Sequence, residues 1–394
     1  MANRSAARIA IVAHGVHEDG GGMERAFAEL IRRAHRDYPL LVISRQLDPN
    51  LRPLVEWCRV RAPARPRPLH FVLFYLLGGI LLGRVRVDLV HTLGACVPNK
   101  ANLASVHFCH AGFHSEKSTD LGDHRPRARR INTGIARALG YYAERWSYGR
   151  GRIPVLAAVS EGVGRELEHH YQHARVFLTP NGVDTKRFRP NQEARRVLRD
   201  TEGLDDDVFV ALFVGGDWDH KGLSIAIEAL AWPGLPDHPS IRLWIVGSGD
   251  ERRFRALASR RGVMESVRFF GARNETERFY QAADVFILPS AYESFSLVCF
   301  EAGASGIPVV ATRVNGVEDL VGDDEGGFIL PRKPAAFGAA LGRLATDSEL
   351  RRRKGESACR RASKYTWERS TESVLEIYRE LLGATRQQAE GRAA

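Results

Sequence analysis

Residues 283–321 read ADVFILPSAYESFSLVCFEAGASGIPVVATRVNGVEDLV, and this stretch decides the fold. The run DVFILPS is a short strand rich in Val, Ile and Leu. It passes into a loop of small residues, and a helix begins near Ser296 or Leu297. IPVVATR is the next strand. Short apolar strands separated by helices specify a parallel sheet covered on both faces. Free backbone N–H groups at the start of that helix make an anion site, suited to a diphosphate. Glu293 lies in the loop just before the helix, and Glu301 falls in its first turns. A carboxylate accepts two hydrogen bonds from a vicinal diol, so one of these glutamates suits sugar hydroxyls and the other ribose hydroxyls. The plainer alternative is a capping glutamate and a solvated one.

The same alternation extends in both directions. Upstream of this stretch, FVALFVGG, IRLWIVGSG and SVRFFGA are strands, separated by the helical DHKGLSIAIEAL and DERRFRALASRRG. A first set precedes them: ARIAIVAHG, YPLLVIS, VDLVHTLG, NLASVHFCH, VLAAVS and ARVFLTPNGVD, with the helix MERAFAELIRRAHR after the first strand. The segment NGVDTKRFRPNQE lacks periodicity and reads as a linker. The expected architecture is α/β, with two Rossmann-like doubly wound domains facing across a cleft. The domains are residues 1–190, 191–366, and a helix with its tail over 367–394 that can pack back on the first domain. Val374, Ile377, Tyr378 and Leu381 give that helix its apolar spacing, and RQQAEGRAA reads as a frayed end. Ligands of such sheets bind at the carboxyl ends of the strands.

The chain of 394 residues carries a net charge of +10 and a pI near 9.6. That balance suits nucleic acid, an anionic membrane or phosphorylated substrates. No helix-turn-helix, zinc-finger or RNA-recognition pattern is present, so nucleic acid is not expected as a partner. The arginine run RPRARR, Arg125 to Arg130, contributes to the charge. The five cysteines are scattered and form no C-x-x-C pair, which reads as reduced thiols of a cytoplasmic protein. The N-terminus lacks the apolar stretch of a signal peptide. Leu69–Gly83, LHFVLFYLLGGILLG, is too short to span a bilayer. It is either a buried helix or one lying in a membrane interface, and the basic run before it favours the second.

The stretch of residues 283–321 resembles the E-x7-E signature of the retaining GT-B glycosyltransferases, family four, the glycosyl transferases of group one. VGGDWDHKG, LWIVGSGDE, VRFFGA, FYQAADVFILPS, NGVDTKRF and GGGMERAFAEL resemble neighbouring blocks of that family. The GGDWDHKG block is similar to that of lipopolysaccharide-core glucosyltransferases. The resemblance implies that Lys221 meets the donor diphosphate, Glu301 the ribose, and Glu293 the donor sugar beside the reacting carbon. Relatives carry glycines where this chain has Ser294 and Ser296. Backbone N–H groups of Phe295, Ser296 and Leu297 can still donate to phosphate or sugar. Where many relatives carry an arginine, this chain has Gly216, and Arg187 or Arg273 is a candidate to compensate; His220 stands beside the lysine. Phe270 lies beside the base or is a plain core residue. Gly20, Gly21 and Gly22 form the first domain's glycine loop, with Gly21 and Gly22 placed against the donor. His110 aligns with the histidine that relatives hold near sugar and acceptor, while His107 points into the sheet.

No metal or cofactor is expected: the histidines around His110 lack a carboxylate cluster, and Asp205–Asp207 reads as a solvated loop. The implied reaction moves a hexose, with retention, from a nucleoside-diphosphate sugar, taken as a UDP-sugar. The acceptor is a lipid-linked or cell-envelope glycan, at a cytoplasmic location that includes the inner membrane face, with an anionic membrane surface as a partner. The alternatives are a small soluble acceptor such as an inositol phosphate or natural product, a nucleotide-sugar-binding module without activity, and a sugar-nucleotide epimerase.

Overall fold

The computed structural model of the chain describes residues 7–18, 20–115, 127–205, 207–236 and 240–393. Its elements run β1 (Ile9–Val16), α1 (Gly22–Ala34), β2 (Leu40–Leu47), β3 (Glu56–Arg59), α2 (Arg67–Gly83), β4 (Leu89–Leu93), β5 (Leu103–Val106), α3 (His110–Ser115), α4 (Arg127–Ser147), β6 (Val155–Ala158), α5 (Glu161–His170) and β7 (Arg175–Leu178). There follow α6 (Gln192–Thr201), β8 (Phe209–Val214), α7 (Leu223–Ala229), β9 (Ile241–Val246), α8 (Glu251–Arg260), β10 (Val267–Gly271), α9 (Thr276–Ala282), β11 (Val285–Leu288), α10 (Leu297–Ala304), β12 (Val309–Thr312), α11 (Val317–Val321), β13 (Gly327–Leu330), α12 (Pro334–Thr346), α13 (Ser348–Ala362) and α14 (Trp367–Ala393). The chain falls into two compact units. The second is Val183–Thr366, and the first combines the chain before Val183 with α14. The two crossings lie side by side, since the Val183 N–H donates to the Tyr365 carbonyl.

Each unit holds one wholly parallel sheet, as the alternation of apolar runs and helices predicts. The first has seven strands in the order β3-β2-β1-β4-β5-β6-β7, and the second six in the order β10-β9-β8-β11-β12-β13. Parallel strands need crossovers, and right-handed crossovers place helices on both faces. The strand interiors are therefore buried on both sides: every residue of β8, β11 and β12 is buried. In each sheet the order reverses at one place, between β1 and β4 and between β8 and β11. There the loops leave in opposite directions and a crevice opens at the strand ends.

In the first unit, α1 buries Phe27, Ala28, Leu30, Ile31 and Ala34 on one sheet face, beside Val374, Leu375, Ile377 and Tyr378 of α14. The Tyr378 hydroxyl lies 2.7 Å from Nδ1 of the buried His91, and Glu368 pairs with Arg33 at 2.8 Å. These contacts make α14 part of this unit although it follows the second in sequence. On the other face α2 packs Phe74 and Leu82 on Val12, Ile43 and Val97. No helix among the described residues is long and apolar enough to cross a membrane. The first residues of RPRARR, the centre of the Asp205–Asp207 turn and the side chains of RQQAEGRAA lie outside the described residues.

Candidate functional site

Because β8 and β11 pair in parallel, Val285 opposite Ala211 and Phe286 opposite Leu212, their carboxyl ends emerge next to each other. The loop after β8 carries Gly215–Gly222, and the loop after β11 carries Pro289–Ser296. Asp284, at the head of β11, holds the pair in register. Its carboxylate accepts from the Val210 N–H at 2.8 Å and from Arg195 at 2.7 Å. The two loops are stitched together by backbone. The Ala291 N–H donates to the His220 carbonyl at 3.0 Å, and His220 Nε2 lies 2.8 Å from the Tyr292 carbonyl. Ser290 Oγ donates to the Tyr292 carbonyl at 3.2 Å, and Thr312 donates to Ser290 at 2.5 Å.

This stitching brings Lys221 and Glu293 together, 72 residues apart in sequence. Lys221 Nζ donates to Glu293 Oε1 at 2.8 Å, with side chains 18% and 16% exposed. The pair is thus largely shielded from solvent yet still accessible. Two glycines make it possible. Gly215, at φ +140°, lets the Lys221 side chain lie across its backbone: a Cβ there would sit 2.6 Å from Lys221 Cδ. Gly222, at φ +77°, starts α7 in the left-handed region and would place a Cβ 2.1 Å from the Pro289 carbonyl oxygen. That same carbonyl accepts from Arg332 Nε at 3.0 Å. Arg332, whose pKa burial lowers, is a second cation at this junction, and no motif pointed to it.

Glu301 lies in α10 and is buried. The Tyr280 hydroxyl donates to its Oε2 at 3.1 Å, and burial beside Glu301 raises the Tyr280 pKa. Phe295 is buried and stacks on Phe300 at 4.4 Å. Gly316, at φ +84°, passes so close that a Cβ would meet Phe295 Cα at 3.0 Å, so the NGVED loop packs on this segment. Ser296 Oγ donates to Cys299 Sγ at 3.1 Å, while Ser294 and Leu297 are half-buried at the start of α10. Burial pushes the Cys299 thiol up to about 12, which leaves it protonated and unreactive.

Gly216 does not have a positive φ, and a Cβ there would meet only the Ser248 carbonyl, at 3.7 Å. Arg187 is held by Glu277, with Nε to Oε2 at 2.8 Å, and by the Asn274 carbonyl; Arg273 is exposed on the loop after β10. Arg253 of α8 pairs with Asp219 at 2.6 Å and so steadies the Lys221 loop. Phe270 is half-buried in an aromatic cluster, 5.2 Å from Trp244 and 4.8 Å from Phe279 between ring centroids.

In the first unit Gly21 caps α1, its N–H donating to Glu24 at 3.2 Å, and Gly22 is the first helical residue. A Cβ on Gly20 would meet Glu24 at 2.3 Å, whereas one on Gly21 would meet nothing. Gly20 is therefore needed for packing, and Gly21 leaves open space at the end of β1. His107 is buried with Nε2 3.2 Å from Asn181 Oδ1. His110 begins α3, where its backbone N–H donates to both oxygens of Glu144 at 3.0 Å. Its ring lies against Gly140, and burial and then Arg137 lower its pKa to about 4, keeping the imidazole neutral. Glu144, which also accepts from the Tyr171 hydroxyl at 3.2 Å, is a positioning group that sequence reasoning missed; burial raises its pKa to about 7. No group of three metal-ligating side chains occurs among the described residues.

Comparison with known proteins agrees with this fold. The model of Glycosyltransferase Family 4 matches residues 20–187, and that of the Glycosyl transferases group 1 matches residues 194–361. A D-inositol 3-phosphate glycosyltransferase of Corynebacterium urealyticum is 33% identical over 276 residues, 66% of this chain and 62% of that protein. The chain spans about half to three fifths of the length of the curated relatives it matches. Among solved structures, WaaG, a glycosyltransferase involved in lipopolysaccharide biosynthesis, superposes with a TM-score of 0.77 at 23% identity, covering 94% of this chain and 99% of that one. Anabaena Alr3699/HepE in complex with UDP and glucose gives 0.70 at 18% identity, covering 95% and 100%. At these identities the structures show a shared fold.

Proposed function

Because this chain belongs to the group 1 glycosyltransferases of GT-B fold, we propose that it moves a hexosyl group, with retention, from a UDP-sugar to an acceptor hydroxyl. The observation that carries this is the Lys221–Glu293 pair at the switch point of the second sheet. A donor diphosphate seated on the start of α10 competes with Glu293 for Lys221. The released carboxylate then faces the sugar, and the ammonium faces the departing phosphate. The C1–O bond to the diphosphate breaks and a C1–O bond to the acceptor forms on the same face. The acceptor proton leaves with the phosphate oxygen. A fixed cation aimed at charge that develops in the transition state acts without reorganisation. Lys221, Arg332 and the helix N–H groups supply that charge, so the reaction needs no metal. The solved HepE complexes, which hold UDP and glucose, support the choice of donor.

The acceptor is a lipid-linked or envelope glycan, met by the first unit at the cytoplasmic face of a membrane. The exposed apolar side of α2, at the end of a basic run, supports this reading. The name of the curated relatives favours a second reading, an inositol phosphate acceptor. UDP release from a panel of UDP-sugars, with membrane glycolipid extract or inositol phosphate as acceptor and with or without chelator, separates the two. Proton NMR of the product reads the anomer. An inverted product, or no turnover with any UDP-sugar, refutes the proposal.

A further inference from the structure

Two neighbouring helices of the first unit carry apolar stripes that the core does not use. On α2, Leu69, Val72, Leu76 and Ile80 are 46%, 38%, 52% and 50% exposed. On α4, Ile131, Ile135, Tyr142 and Trp146 are 62%, 49%, 68% and 39% exposed. Steps of three, four and seven residues put each set on one helical face. α2 is tightly seated on its other side: a Cβ on Gly79 would strike Pro98 at 2.7 Å. The stripe is therefore not a loosely packed core face. α2 and α4 pack on each other. The two stripes thus belong to one outer layer. Single exposed apolar residues are ordinary, but a contiguous patch of this kind marks an interaction surface.

The charges around the patch decide its partner. From Trp57 to Val87 there is no Asp or Glu, while Arg59, Arg61, Arg65, Arg67, Arg84 and Arg86 are all exposed. On α4 the sole carboxylate is Glu144, which is buried and bonded to His110 and Tyr171. Exposed Arg130, Arg137 and Arg145 lie along the same helix, and Arg150 follows it. Beyond Tyr142 and Trp146 a groove continues between Arg145, Arg150, His169 and His173. A second copy meeting this face across a two-fold axis would set arginines against arginines. An anionic bilayer offers acyl chains to the stripes and phosphates to the guanidinium rim.

We propose that the α2–α4 face docks this protein on an anionic lipid bilayer, with the stripes at the headgroup–acyl boundary. The inference rests on the reading of a membrane-borne acceptor and adds the surface that reaches it. The test is flotation of the full chain with phosphatidylcholine vesicles and with vesicles also containing phosphatidylglycerol. The chain is expected to float with the anionic vesicles at low salt. The double variant Leu76→Glu/Ile135→Glu should lose at least about tenfold in partitioning, since a charge in the interface opposes insertion. Arg84→Glu/Arg86→Glu should lose about fivefold or more per arginine. Val197→Glu, an equally exposed apolar position in the second unit, should float like the parent chain. UDP release in solution should be the same for all of them, so a failed transferase reading shows as loss of turnover everywhere and leaves the flotation result standing. The proposal is overturned if the parent chain stays in solution with anionic vesicles, or if the double variant floats equally well. It is also overturned if light scattering shows a dimer that the double variant dissolves without any vesicle binding.

Discussion

Gly222→Ala tests the junction on which catalysis is proposed to depend. The methyl group meets two obstacles. A non-glycine residue at φ +77° costs about 1–2 kcal/mol. The new Cβ also lies 2.1 Å from the Pro289 carbonyl oxygen, where real contacts stay beyond 3.0 Å. Pro289 opens the loop that ends in Glu293, and Lys221 directly precedes Gly222. The two loops therefore have to part by about 1 Å, a displacement of the kind that costs about a hundredfold in rate. The thermal midpoint should fall by about 2–4 °C for each kcal/mol lost. The assay is kcat/KM for UDP release, with UDP affinity and melting temperature measured on the same sample. A fall of about a hundredfold in kcat/KM, with only a small change in melting temperature, is expected. Parent-like turnover in a Gly222→Ala protein of normal stability would falsify the assignment of this junction to catalysis.

Lys221→Ala should lower kcat by about 10²–10³, the usual effect of removing one fixed donor to a developing anion; UDP release read at saturating donor checks it. Gly216→Arg should tighten donor binding about three- to thirtyfold by adding a charge-assisted contact, because its backbone and surroundings admit a side chain; calorimetric titration with UDP decides, and unchanged affinity sinks the idea. Glu144→Gln probes pH linkage. Burial raises the Glu144 pKa above its ordinary value to about 7, so the folded state holds a proton that the unfolded chain releases between pH 4.5 and 7. This group's contribution to stability therefore falls as pH rises through that window, and the variant should gain melting temperature relative to the parent from pH 4.5 to 7. The buried His91 and His107 and the half-buried His14 and His110, whose pKa values desolvation lowers, act in the opposite sense. They are neutral when folded and protonated when unfolded below about pH 6.5, so the parent itself should grow more stable up to that pH. A difference between the two proteins that does not vary with pH removes Glu144 from this role.

The strands buried on both faces were legible because an unbroken run of Val, Ile, Leu and Ala has few other uses at that length. β3 and β13 were not. EWCR and GFIL are sheet-edge strands of four residues, half-exposed and without a run to mark them. Gly327 in β13 illustrates the difficulty: its Cβ would overlap the Val309 carbonyl oxygen, so a residue poor in strand propensity is required by close backbone approach. α4 was hidden for a different reason. Its arginine-rich start looks like a charge run, and its apolar residues face outward, so no core pattern betrays it. At the site, Lys221 and Glu293 were legible as motif members, but their 2.8 Å contact depends on parallel pairing of β8 and β11. Arg332, Arg253 and Glu144 act through backbone carbonyls, amides or one another's loops, and local sequence carries no trace of such partnerships.

The missing arginine at Gly216 frames the electrostatics of the second unit. On the proposed reading the site holds two phosphates, with Lys221 and Arg332 as its cations. That lysine is paired with Glu293. The pairing is better understood as a resting contact than as a defect. It keeps an ammonium and a carboxylate satisfied in a shielded place, where either alone would carry a desolvation cost. On the proposed reading, an arriving diphosphate makes Lys221 change partner without leaving its seat over Gly215, and Glu293 is freed towards the sugar. Binding and activation are then one event, because the contact that the phosphate breaks is the one that holds the glutamate back. Arg332, fixed on the Pro289 carbonyl, takes no part in that exchange and supplies a constant positive field beside it. A chain with Lys221 intact but Glu293 replaced by Gln should accordingly bind UDP more tightly than the parent while losing transfer, a combination that a purely structural salt bridge would not produce.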